Sequence, residues 1–195
     1  MNEVYGSMWR KWDLHVHTPK SILCDNYKID ESEKKKFLEY INENSYTDEV
    51  NMYYYIRELF NKAVENNIAA IGITDYFFID GYRFIRETMQ DTEKMRTIFK
   101  DELIQDNDYL EKIAKILLLP NVEFRTDVVI SKKGTNQGKE SKQSKLQVHV
   151  IFSDELDIDV IEQNFINALQ FSTGESECPL NKINVERFGK EMKNR

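Results

Sequence analysis

Apolar and polar residues alternate through Lys11-Trp12-Asp13-Leu14-His15-Val16-His17, the period-two pattern of a β-strand. Trp12, Leu14 and Val16 then share one face, expected to pack into a core, while Asp13, His15 and His17 share the other. Thr18-Pro19 breaks the run. Asp30 followed by Glu33 resembles a capping box ahead of a polar helix over 31–43. Thr47-Asp48 is suited to cap a second helix running to about Asn66. Its apolar positions Tyr53, Ile56, Phe60, Ala63 and Val64 recur at helical spacing and should pack on a sheet. Ile68 to Thr74 is a short continuous apolar run, the pattern of a strand buried on both faces. Strand, helix, strand is the signature of a βαβ unit and implies a parallel sheet.

Asp80-Gly81 marks a turn, after which 83–100 and 102–118 read as helices, the second ending in Leu117-Leu118-Leu119 before Pro120. Val122 to Ile130 reads as a third strand and Leu146 to Phe152 as a fourth. Between them, the Gly-, Ser- and Lys-rich stretch from Ser131 to Lys145 is expected to form an exposed hairpin loop. Ile158, Ile161, Phe165 and Leu169 form the buried stripe of a further helix, and the pattern weakens after Gly174. Residues 180–195 read as a polar helix or a frayed tail, and no internal repeat is visible.

At 195 residues the chain has room for one domain with a sizeable core, and its 41% hydrophobic residues describe a folded protein. The net charge of -7 argues against avid, unaided binding to nucleic acid, which needs cationic surface. A nucleic-acid substrate stays open, because bound metal ions supply local positive charge. Cys24 and Cys178 form no CxxC pair and read as free thiols in a reducing compartment. With neither a signal-peptide core nor a membrane-length apolar run, the expectation is a cytoplasmic chain that does not enter the membrane.

Candidate chemistry gathers at strand ends. His15 and His17 close the first strand, Asp75 the second, Glu123 lies early in the third, and His149 falls near the end of the fourth. Ligands collect at the carboxyl edge of parallel α/β sheets. Histidine and carboxylate together suit zinc, manganese or iron. An HxH pair alone is equally a structural feature; the other groups in this order favour metal.

Asp13-Leu14-His15-Val16-His17-Thr18 resembles the first motif of the PHP (polymerase and histidinol phosphatase) superfamily of metal-dependent phosphoesterases. Gly72-Ile73-Thr74-Asp75-Tyr76 resembles its second motif, Val122-Glu123-Phe124-Arg125 its third, and Val148-His149-Val150-Ile151-Phe152 a later histidine motif. With Gly6 to Trp12 and Asp80-Gly81-Tyr82, the string is most similar to the N-terminal PHP domain of TrlF-type proteins, where it precedes an AAA-like or SMC-like ATPase. The resemblance covers most of residues 6–170.

It implies a distorted seven-stranded (β/α) barrel, of which about four strands are evident here. It also implies His15, His17, Glu123 and His149 as metal ligands, and Asp75 as a ligand or close neighbour of one. Asp13 would hold a ligand imidazole, and a metal-activated water would hydrolyse a phosphodiester or nucleotide. The planar fork of Arg125 suits a substrate phosphate, and equally a surface ion pair with a neighbouring carboxylate. An ATPase partner chain, in a nucleic-acid or defence system, is implied too. Tyr76 stands where many members carry a metal-binding histidine. The superfamily's late Asp-x-His motif has no counterpart, since no histidine follows His149. The chain therefore reads as the N-terminal portion of a single PHP-like α/β domain, truncated or completed by another polypeptide. A non-catalytic remnant with a binding or regulatory role, or a truncated frame without activity, is the alternative.

Other features read more plainly. Gly134 to Glu140 is one residue short of a phosphate loop, ends in Glu rather than Ser or Thr, and leads to a strand. Lys132, Lys133, Lys139, Lys142 and Lys145 read as a solvated loop. Of Tyr53, Tyr54 and Tyr55, one or two should be core and the rest half exposed. Trp9 and Trp12 are expected to pack the barrel's N-terminal end.

Overall fold

The computed structural model describes residues 9–21, 27, 29–131, 143–172 and 176–193. Its elements begin with β1 (Lys11–Val16), α1 (Glu31–Ile41), α2 (Asp48–Glu65), β2 (Ile68–Tyr76) and α3 (Asp80–Gln90). Three short helices follow, α4 (Thr92–Ile98), α5 (Lys100–Gln105) and α6 (Tyr109–Ala114), and then the long strands β3 (Leu117–Ser131) and β4 (Gln143–Ile151). The chain continues through α7 (Ile158–Asn164), a 3₁₀ turn (Ile166–Ala168), β5 (Gln170–Ser172), β6 (Glu177–Pro179) and α8 (Lys182–Lys193). The architecture is mixed α/β. One sheet has the order β1-β2-β3-β4, and β5 and β6 pair as a separate ribbon.

The predicted caps form. Asp30 Oδ1 accepts from the Glu33 N–H at 2.8 Å, and Thr47 Oγ1 accepts from the Val50 N–H at 3.2 Å. α2 is part of the crossover between the parallel strands β1 and β2, and its Ile56, Phe60 and Ala63 are buried in one core with Ile71 and Ile73. Each of the isoleucine and phenylalanine side chains contributes about 1.5–3 kcal/mol on burial. Of the tyrosine run, Tyr55 is buried and Tyr53 and Tyr54 are half-buried.

The sheet is strongly curled. In a flat sheet β1 and β4 would stand about 14 Å apart, three strand spacings. Yet the rings of His15 and His149, on these two outer strands, approach to 4.6 Å. A register shift in β1 between Asp13 and Val16, opposite Ile71 to Ile73, contributes to this shape. Such bulges bend a strand and leave a backbone group outside the ladder. The Leu14 carbonyl at the bulge accepts instead from Thr74 Oγ1 at 3.1 Å and from Asn121 Nδ2 at 2.8 Å. Gly72 makes the approach possible, since a Cβ there would fall 2.6 Å from the Leu14 oxygen.

Several sequence expectations change. Trp12 does not join a core: it is 62% exposed and Trp9 is 98% exposed, at the start of a strand that lies on the edge of the sheet. Asp80-Gly81 opens α3 rather than a turn. The region read as two helices divides into four, α3 to α6. Leu117-Leu118-Leu119 begin β3 instead of ending a helix, pairing with Ala70-Ile71-Gly72. A short apolar run has no helical or strand period of its own, so pairing with β2 decides its state. β4 runs antiparallel to β3, so His149 gains its place from the register opposite Glu123 and not from a parallel strand end. The polar helix, one of the two readings of 180–195, forms as α8. The loop between β3 and β4, including Gly134 to Glu140 and Lys132 to Lys142, lies outside the described residues, as does Cys24. Cys178 is a buried free thiol. Among the described residues, no helix is long and apolar enough to cross a membrane.

Candidate metal centre

Asn121, Glu123 and Arg125 share one face of β3, two residues apart, as strand alternation requires. His149 sits directly opposite Glu123 on β4. β1 supplies His15, and His17 follows one residue beyond its end. These groups meet on the concave side of the curl. His15 Nε2 lies 3.1 Å from His17 Nε2 and 3.2 Å from Glu123 Oε2, and His17 Nε2 lies 3.3 Å from the same oxygen. One ligand atom each from His15, Glu123 and His149 also falls within a mutual 4.8 Å.

The near-equilateral triangle has chemical meaning. Neighbouring ligand atoms of a tetrahedral ion with bonds of about 2.0–2.1 Å stand about 3.3 Å apart. Glu123 is fully buried, and its Oε1 has no hydrogen-bond partner among the described residues. A buried carboxylate oxygen without a partner is costly, and a divalent cation is the natural compensation. Three imidazoles and one carboxylate suit zinc, manganese or iron. The residues therefore fit such an ion.

Burial holds the His17 imidazole below its ordinary pKa, against the opposing pull of the Glu123 carboxylate, with His15 and His149 adding to the lowering. Neutral imidazole is the form that ligates metal. His17 is also well braced. Tyr55 OH donates to its carbonyl at 2.8 Å, and the Tyr76 ring stacks on its imidazole at 4.8 Å. Ser21 Oγ lies 3.4 Å from His17 Nδ1 and accepts from the Tyr76 N–H at 3.2 Å. Ser21, Tyr55, Thr74 and Asn121 escaped sequence reasoning, because isolated hydroxyls and amides carry no spacing signal.

Compared with family models, curated proteins and solved structures, the chain matches none. Its site is described by its own geometry.

The remaining sequence candidates fall in different places. Asp75 does not join the cluster. Thr74 and Tyr76 engage the ligand side of β2, and alternation turns Asp75 to the opposite face. There its carboxylate accepts from the Thr18 N–H at 3.0 Å, from Thr18 Oγ1 and from the Gly81 N–H at 3.1 Å. It ties the chain after His17 to the start of α3. Asp13 touches His15 through the backbone, its Oδ1 accepting from the His15 N–H at 3.3 Å, and does not hold an imidazole. The exposed Arg125 donates from Nη2 to Tyr76 OH at 2.8 Å and lies over the Tyr76 ring. It thus stands at the margin of the cluster and, among the described residues, pairs with no carboxylate.

Burial raises the Asp75 pKa to about 6, although its hydrogen bonds from Thr18 and Gly81 oppose the rise. A folded-state pKa above the unfolded value adds stability that is fully present below about 4 and is lost as pH rises through about 6. The stability of the parent chain minus that of Asp75→Asn should therefore fall by about 2 kcal/mol between pH 4 and pH 7. Urea unfolding of both proteins across that range measures it. A difference that does not vary with pH would refute the assignment.

Proposed function

We propose that this chain is a metal-dependent phosphoesterase module of the PHP type, acting on a phosphodiester such as nucleic acid or a nucleotide. One observation carries the reading: the 3.1–3.3 Å triangle of His15, His17 and Glu123 donor atoms, with His149 beside it. The motif order described above supports it. His15, His17, Glu123 and His149 would hold zinc, manganese or iron. Such an ion, when bound, supplies a Lewis acid that polarises a phosphoryl oxygen and lowers the pKa of water.

The chain's own groups have distinct tasks in this reading. Glu123 places negative charge at the bottom of the site, and the histidines complete a neutral-donor set around it. His15, with its side chain 54% exposed, forms the open side through which substrate enters. Arg125, two residues beyond Glu123 on the same face, offers a planar fork to a phosphoryl group, steadied by Tyr76. Asp75 and Asp13 shape the backbone around the ligands. An ATPase partner belongs to the same proposal and rests on the sequence resemblance alone.

Metal content by mass spectrometry, with bis-p-nitrophenyl phosphate hydrolysis with and without added manganese, tests the reading. Expected are about one or more ions per chain and a manganese-stimulated rate that His15→Ala lowers at least about 100-fold. A protein that binds metal yet hydrolyses nothing would favour a non-catalytic binding module. A metal-free protein indifferent to His15→Ala would overturn both.

A further inference from the structure

Ser21 is 6% exposed and, among the described residues, meets the proposed ligands at the far nitrogen of His17, at 3.4 Å. His17 Nε2 faces His15 Nε2 and Glu123 Oε2, so Nδ1 is the nitrogen left for an outer partner. We propose, resting on the metal reading of His15, His17 and Glu123, that Ser21 is a positioning residue that switches from donor to acceptor when His17 takes up a divalent cation.

The proton inventory leads to this. A neutral imidazole carries one N–H. Without a cation, the Glu123 oxygen 3.3 Å away draws that proton to Nε2, leaving Nδ1 bare to accept the Ser21 O–H. A cation at Nε2 requires the lone pair there, so the proton resides on Nδ1 and needs an acceptor. Ser21 Oγ has two lone pairs, of which the Tyr76 N–H occupies one at 3.2 Å. Among the described residues the second faces no other donor and is open to Nδ1–H. The imidazole stays neutral with one N–H throughout: Nε2 gives its proton to solvent and Nδ1 takes one from solvent, and a hydroxyl satisfies both states. The stacked Tyr76 ring and the Tyr55 hydrogen bond to the His17 carbonyl keep the imidazole from turning to another partner.

Cobalt titration of the full chain, followed by visible absorption, tests the inference. Ser21→Ala should weaken Co²⁺ binding about 10- to 100-fold, and Ser21→Thr, which keeps the hydroxyl, should restore it to within about threefold. Tight binding that Ser21→Ala leaves unchanged overturns the inference and spares the metal reading. Equal weakening in both variants also overturns it, since the hydroxyl would then not matter. Failure of the parent chain to bind Co²⁺ overturns the metal reading and this inference together. Should Ser21→Ala not fold, ¹⁵N spectra of the zinc-loaded parent decide. Protonated Nδ1 on His17 is expected, and zinc on Nδ1 overturns the inference.

Discussion

Glu123→Gln should abolish stoichiometric metal binding, raising the dissociation constant at least about 100-fold, while leaving the metal-free fold as stable as before or more so. The two effects have one cause. The carboxylate is fully buried, with one oxygen shared by His15 and His17 and the other without a partner. Glutamine keeps the shape and removes the charge. Without metal that change relieves a desolvated anion, which is neutral or stabilising when volume is preserved. With metal it removes the only charged donor, and the stabilisation that a bound ion lends the fold disappears with it. Thermal unfolding of both proteins, with chelator and with excess zinc, reads both at once. Zinc should raise the melting temperature of the parent and not that of the variant. An equal rise in both would show that the ion binds elsewhere.

Gly72→Ala should cost about 3 kcal/mol of stability, a fall of about 6–12 °C in melting temperature for a chain of this size. A Cβ at Gly72 would sit 2.6 Å from the Leu14 oxygen and 2.9 Å from two further Leu14 backbone atoms. Those atoms belong to the bulged strand and do not swing aside as a flexible side chain would. Relief requires β1 to move away from β2. That movement would break the hydrogen bonds from Thr74 and Asn121 to Leu14 and carry His15 away from Glu123. Metal affinity should therefore fall together with stability, although residue 72 is no ligand. A variant with parental stability would mean that β1 and β2 do not approach as described.

The two predictions depend on different kinds of information. His15, His17, Glu123 and His149 were legible because histidine is scarce in this chain and because strand alternation puts His15 and His17 on one face. Asp75 read as a ligand or a close neighbour of one, and in the structure its carboxylate is held by Thr18 and Gly81 on the other face of β2. Its neighbours Thr74 and Tyr76 are the residues that face the site, and linear order alone does not say which face of a doubly buried strand holds the chemistry. Trp12 misled for a related reason. Alternation assigned it a face correctly in kind, but whether a helix covers that face at the start of an edge strand is a tertiary matter.

The helical region shows the same boundary. Asp30 and Thr47 act through hydrogen bonds spanning three residues, so their caps follow from local sequence. Leu117 to Leu119 have no local period, and only β2 alongside made them a strand. The sequence read Gly81 as part of a turn and assigned Gly72 no packing role; each is required by atoms from elsewhere, Leu14 for the first and Asp75 with Thr18 for the second.

The parallel βαβ start and the capped helices were thus legible in the sequence, as were His15, His17, Glu123 and His149 as candidate donors with Asp75 beside them, since these depend on side-chain period, local hydrogen bonds and residue chemistry. The tertiary structure decided that the sheet curls until its outer strands' histidines meet. It also decided that β4 runs antiparallel with His149 opposite Glu123, that Asp75 braces a loop, and that Ser21 backs His17. All of these depend on contacts between residues far apart in the chain, whose distances are set by the bulge at Leu14, the space above Gly72 and the register of β3 against both neighbours.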